Sequence, residues 1–175
     1  MLPDLDFVVT GEGDLALLKA VKAIEKGKTL KGVENVIYRN SANRLVITSH
    51  YLLTTKDQDE LPPPDWKIVY DPADNFKQKA LISTSRGCPG NCSFCAIHRH
   101  FNEKYSLNCE EMGMKLKDMR WRPRSAVKVV DEMEYLHKEF GIIGFDIVDD
   151  DFIGNDPLRA LEIANEIIKI MMDIL

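Results

Sequence analysis

Between Thr54 and Pro64 the chain reads Thr-Thr-Lys-Asp-Gln-Asp-Glu-Leu-Pro-Pro-Pro. Such a composition cannot pack a core, and consecutive prolines stiffen the backbone into an extended spacer. The stretch therefore predicts a domain boundary: one unit over 1–52, a proline-rich linker over 53–78 and a second unit over 79–175. Each unit must assemble from its own strands and helices.

In the first unit, Leu5 to Thr10 predicts a short buried strand and Gly11-Glu12-Gly13-Asp14 a loop. Leu17, Leu18, Val21 and Ile24 then recur at helical spacing until Gly27 stops the run. Two β-rich runs, Val33 to Arg39 and Arg44 to Thr48, flank Asn40-Ser41-Ala42-Asn43 and predict a hairpin. In the second unit, Ala80 to Thr84 predicts a strand and Ser125 an N-cap. The following helix shows Ala126, Val129, Val130, Met133, Leu136 and Phe140 on one face and ends at Gly141. Ile143 to Val148 predicts the next strand. Asp156 and Pro157 then open a last helix lined by Leu161, Ala164, Ile167, Ile168 and Met171. Two strand–helix units in succession imply parallel strands with right-handed crossovers, an α/β arrangement. Residues 96–120 lack clean periodicity.

The formal charge of −5 is the wrong sign for non-specific binding to phosphate backbones, so nucleic acid is not an expected partner. A basic stretch, Lys115, Lys117, Arg120, Arg122 and Arg124 beside Trp121, reads as a solvated face. No apolar run approaches the roughly 18 residues of a membrane span, and the start of the chain has no leader pattern. The expected location is the cytoplasm.

The chemistry concentrates in Cys88-Pro89-Gly90-Asn91-Cys92-Ser93-Phe94-Cys95. Three thiolates on one tight loop can converge on a single metal centre, with Pro-Gly supplying the turn. A closed structural zinc site needs four ligands, as does an electron-transfer 4Fe–4S cluster, whereas three cysteines leave one iron open to a substrate. A zinc site completed by His98, His100 or Cys109 remains an alternative of suitable ligand types. A disulfide has no obvious pairing here.

Cys88-x3-Cys92-x2-Cys95, with Phe94 before the third cysteine, resembles the signature loop of radical S-adenosylmethionine (SAM) enzymes. Ser83 to Cys92, Trp121-Arg122-Pro123-Arg124-Ser125 and Val148-Asp149-Asp150-Asp151-Phe152 are similar to the subgroup that carries an upstream cobalamin-binding domain. The resemblance implies that Cys88, Cys92 and Cys95 bind three irons of a 4Fe–4S cluster, whose fourth iron chelates S-adenosylmethionine. It implies Phe94 near the adenine and Asp149 or Asp150 holding the cofactor. It further implies an external electron donor, reductive cleavage to a 5'-deoxyadenosyl radical, and a small-molecule substrate undergoing methyl transfer, cyclisation or rearrangement.

From the residues alone, Asp149-Asp150-Asp151 sits at the carboxyl edge of a strand, the side where α/β folds place their sites, and the cysteine loop leaves the same edge. A solvated acidic turn before a helix is the competing reading of this run. The segment from Asp6 to Asp14 is similar to the last strand–helix unit of a cobalamin-binding Rossmann-like domain. The Asp-x-His-x-x-Gly element with which that family grips cobalamin does not occur, so cobalamin binding by this chain is not expected. The 97 residues from Lys79 onward hold two βα units, where the family's barrel has six. The expectation is a partial (β/α)6 barrel: a fragment, a truncated frame, or one part of a split enzyme with a complementary chain, with an inactive truncated remnant as a competing reading.

Overall fold

The computed structural model describes residues 5–69, 79–90, 92–95 and 121–174. It is a mixed α/β structure of two compact units: among the described residues, the first holds 5–53 with Phe94 and Cys95, and the second holds 54–69, 79–90, 92–93 and 121–174. The irregular segment 96–120, with His98, His100, Cys109, Lys115, Lys117 and Arg120, lies outside the described residues.

The first unit opens with β1 (Phe7–Val9), helix α1 (Asp14–Glu25) and the hairpin β2 (Val36–Arg39) and β3 (Leu45–Ile47). β1 runs antiparallel to β2, with Val8 opposite Ile37, and β2 antiparallel to β3, with Tyr38 opposite Val46. Asn40 closes the hairpin, its Oδ1 accepting from the N–H groups of Ala42 and Arg44 at 3.0 Å each. The helix turns small residues inward: Ala20 packs with Leu30, Val33, Val36 and Tyr38. The expected apolar stripe faces outward instead, with Leu17, Leu18, Val21 and Ile24 all exposed. Alanines permit a closer approach of helix to sheet than the branched residues would. Glu12 in the loop before α1 is buried and accepts from Leu53 N–H at 2.6 Å, anchoring the far end of the unit.

The second unit begins where an extended spacer was expected. Thr54 caps the short helix α2 (Thr55–Glu60) in a reciprocal capping box with Asp57. The polar run packs because its polar groups are satisfied: buried Gln58 donates to Arg122 O at 3.1 Å, and Asp59 accepts from Ser125 N–H at 2.9 Å. After α3 (Trp66–Val69), strand β4 (Lys79–Ile82) leads into β5 (Ser85–Gly87). Then come β6 (Trp121–Pro123), α4 (Ala126–Phe140), β7 (Gly144–Ile147) and α5 (Pro157–Ile174). β4 and β7 pair in parallel, as two successive βα units require, with Ile82 opposite Ile147. β5 turns away to pair antiparallel with β6.

Ser125 caps α4, its Oγ accepting from Lys128 N–H, and Gly141 ends it in the left-handed conformation at φ 68°. The inward face of α4 is as expected: Ala126, Val129, Val130 and Met133 pack with Ile82 and Ile163, while Leu136 joins Ala80 and Ile142. Asp156 caps α5 by accepting from Arg159 N–H at 3.1 Å. Its inward residues are Ile163, Ile167 and Ile170, whereas Leu161, Ala164 and Ile168 are exposed. No helix of the described residues is long and apolar enough to cross a membrane.

Candidate active site

The parallel register carries the site. With Ile82 opposite Ile147, and Val148 N–H still donating to Ile82 O at 3.0 Å, the next residues of the two chains emerge side by side. Ser83-Thr84-Ser85 meets Asp149. One carboxylate oxygen of Asp149 accepts from Thr84 N–H at 2.6 Å and Ser85 N–H at 3.1 Å, with Ser83 Oγ–H farther off at 3.4 Å. The other accepts from the hydroxyls of Thr84 at 2.5 Å and Ser85 at 2.8 Å. A carboxylate has about four acceptor sites, so donors of this chain saturate it.

The same strand root is held from its other side. Thr84 O accepts from Arg159 Nη2 at 2.6 Å and Arg124 N–H at 2.9 Å. Arg159 is buried; its Nε donates to Arg124 O at 2.7 Å, and its guanidinium lies 5.7 Å from the centre of the Trp121 ring. Burial pulls its pKa below the ordinary guanidinium value, an effect opposed by the charges of Asp149 and Asp156. Trp121 Nε1 donates to Asp151 O at 2.8 Å and Ser85 Oγ at 3.1 Å. Its indole lies flat against Gly154, where an added Cβ would come 2.1 Å from the ring. Arg124 pairs with buried Glu132 at 2.7 Å. Trp121, Arg122 and Arg124 are thus framework, not the solvated basic face expected of this stretch.

Three residues beyond Ser85, at Cys88, the loop begins. Gly90 N–H donates to Cys88 Sγ at 3.4 Å. A Cβ built on Gly90 would stand 3.4 Å from Cys88 Sγ and 3.8 Å from Cys92 Sγ, so both sulfurs border the space that the missing side chain leaves open. Cys88, Cys92 and Cys95 are free thiols, with Cys92 exposed. Phe94 is 90% exposed. Phe94 and Cys95 group with the first unit, and among the described residues no three His, Cys, Asp or Glu side chains form a ready metal site. Thiol donors, an amide hydrogen bond to sulfur and a side-chain-free gap fit a cluster better than a hard cation.

Asp150 is exposed. Asp151 is half-buried and accepts from Gly154 N–H at 2.9 Å, which shapes the turn toward α5. The residues that sequence reasoning passed over are Thr84, Ser85 and Arg159. The run of three hydroxyl residues before Arg86-Gly87-Cys88 was the available signal; Arg159 had none, because only the folded chain brings it to a strand it follows by 75 residues.

No protein-family model matches the chain. It is 32% identical over 176 residues to an uncharacterized methyltransferase of Pyrococcus horikoshii, covering 98% of this chain and 34% of that protein. It is 28% identical over 176 residues to an anaerobic magnesium-protoporphyrin IX monomethyl ester cyclase of Rubrivivax gelatinosus, covering 95% and 28%. Among solved structures, the cobalamin-dependent S-adenosylmethionine radical enzyme OxsB, with aqua-cobalamin and S-adenosylmethionine bound, superposes with a TM-score of 0.67. The match is 22% identical and covers 93% of this chain and 21% of that one. TsrM of Kitasatospora setae, a radical S-adenosylmethionine methyltransferase solved with cobalamin and a [4Fe-4S] cluster, gives 0.54 at 22% identity, covering 96% and 30%. The chain spans about a third or less of the length of these proteins. These relatives are named as a methyltransferase and a cyclase, and the fold is similar to a segment of the two solved structures.

Proposed function

From this kinship with cobalamin-associated radical S-adenosylmethionine enzymes, we propose that the chain contributes the cluster-binding loop and the first two βα units of a (β/α)6 radical SAM core. Cys88, Cys92 and Cys95 hold the three protein-ligated irons of a 4Fe–4S cluster. A cluster held by these three thiolates would supply one electron for reductive cleavage of S-adenosylmethionine to methionine and a 5'-deoxyadenosyl radical. The observation that carries this reading is the pair of sulfurs, Cys88 and Cys92, bordering the open face of Gly90, with Gly90 N–H already directed at one of them. Hydrogen bonds to cluster sulfurs tune potential, so the loop backbone contributes to the chemistry as well as to shape.

Exposed Phe94 offers an apolar face for the adenine, and exposed Asp150 an unshared carboxylate for the cofactor's ammonium or ribose hydroxyls. Residues 1–52 are the C-terminal remnant of a Rossmann-like cobalamin domain whose cobalamin-gripping element is not in this sequence. The remaining strands of the barrel come from further polypeptide, the electron from an external donor, and the substrate is a small molecule undergoing methyl transfer, cyclisation or rearrangement.

Anaerobic reconstitution with iron and sulfide, followed by electron paramagnetic resonance of the reduced protein with and without S-adenosylmethionine, tests the assignment. A reduced-cluster signal that changes with the cofactor and is lost in Cys92→Ala is the expected result. Zinc retained in place of iron, or no metal bound, would overturn it.

A further inference from the structure

The contacts of Asp149 divide the work of the acidic run. We propose that Asp149 is a positioning residue that fixes the root of the cysteine loop and binds no cofactor itself. This rests on reading Cys88 to Cys95 as the cluster loop.

The physical need arises where the chain changes sheets. β4 pairs in parallel with β7 as far as Ile82, and β5 pairs antiparallel with β6 from Ser85. At Thr84, which is fully buried, the backbone has left one ladder and not joined the other. A buried N–H without an acceptor is costly, and two successive ones here, Thr84 and Ser85, converge on one oxygen of Asp149. The other oxygen takes both hydroxyls, which sets their rotamers. Arg159 and Arg124 hold the carbonyl of the same residue, so Thr84 is pinned at both its N–H and its C=O. Ser85 Oγ is shared with Trp121, which Gly154 holds flat. Only Arg86 and Gly87 separate Ser85 from Cys88. Whatever fixes Ser85 therefore fixes where the first thiol starts, as the second shell of a metal site fixes its ligands. With its acceptor sites filled by this chain, Asp149 has none left for an ammonium group, unlike exposed Asp150.

Asp149→Asn and Asp149→Ala separate the two roles. An Asn amide can turn its oxygen to the two backbone N–H groups and its NH2 to the two hydroxyls, which can accept; it keeps the geometry and drops the charge. Alanine drops both. In the iron-free full chain, amide hydrogen exchange over residues 79–90 is expected to speed up by about tenfold or more in Asp149→Ala and to stay near wild type in Asp149→Asn. After reconstitution, Asp149→Ala should load less iron per chain, whereas Asp149→Asn should load fully and keep the S-adenosylmethionine-induced change in its resonance spectrum. Unchanged exchange in Asp149→Ala would overturn the proposal. So would an Asp149→Asn protein that loads its cluster but no longer responds to the cofactor, since that marks Asp149 as a cofactor ligand. If wild type loads no cluster, the cluster reading fails by itself, and the exchange comparison still decides whether Asp149 holds the strand root.

Discussion

Helices α1 and α4 carry the same kind of amphipathic pattern and bury it in opposite senses. On α4 the apolar stripe faces inward, with Val129 and Leu136 at 0% exposure. On α1 the large residues look out, Leu17 at 51% and Ile24 at 50%, and the sheet receives Ala16 and Ala20. The difference lies in what each helix has to cover. α4 packs over the parallel pair β4–β7 and against α5, where branched side chains fill the gap. α1 lies on three short antiparallel strands whose own Val36 and Tyr38 fill it, leaving room only for alanine. Periodicity shows that a helix has two unlike faces; it does not show which one its own unit needs.

Truncating the two stripes should sharpen this contrast most. Leu136→Ala is expected to cost the second unit about 3 kcal/mol by urea unfolding, through lost burial plus a cavity. Leu18→Ala on α1 should change stability by less than about 0.5 kcal/mol. Comparable losses from both would mean that α1 is covered in the working protein, and the contrast would fail. A smaller effect is expected at the ends of the helices: Ser125→Ala removes the α4 cap and should cost about 1 kcal/mol. At α1, Gly13 makes no side-chain cap and sits at φ −93°, ψ −16°, a conformation alanine adopts, so Gly13→Ala should move stability by less than about 1 kcal/mol.

The smallest effect concerns charge. Lys19 on α1 pairs with Glu34 at 3.0 Å. Burial raises the pKa of Glu34, but the Lys19 hydrogen bond, a backbone hydrogen bond and the Lys19 charge together hold the carboxyl below its ordinary 4.5. A depressed folded-state value means stability that is present above 4.5 and lost as pH falls through the folded pKa. Both side chains are substantially exposed, so the contribution should stay below about 1 kcal/mol and shrink with salt. Unfolding of wild type and Lys19→Met, compared at pH 7 and pH 3, should differ more at the higher pH.

Much of the fold was legible because local rules sufficed. Ser125, Gly141 and Asp156 marked helix ends through capping chemistry that depends on a few adjacent residues. Asn40 to Asn43 marked the hairpin for the same reason. The polar run Lys56 to Glu60 misled, since its composition predicts a solvated spacer, yet Gln58 and Asp59 find partners 64 and 66 residues away. At the site, the spacing of the three thiols was legible because they lie within eight residues of one another. The placement of Asp149 at one sheet edge with that loop was also legible, from strand order; its engagement by Ser83, Thr84 and Ser85 was not.

The order of residues by itself determined the thiol spacing, the helix caps and the succession of βα units, because each depends on atoms close along the chain. Tertiary structure alone decided which face of α1 turns inward, that a polar run becomes a packed helix, and that Asp149 spends its carboxylate on the backbone of Thr84 and Ser85. Those outcomes depend on the register of β4 against β7 and on which buried N–H groups a change of sheet leaves unpaired. Such needs exist only once strands distant in sequence lie side by side.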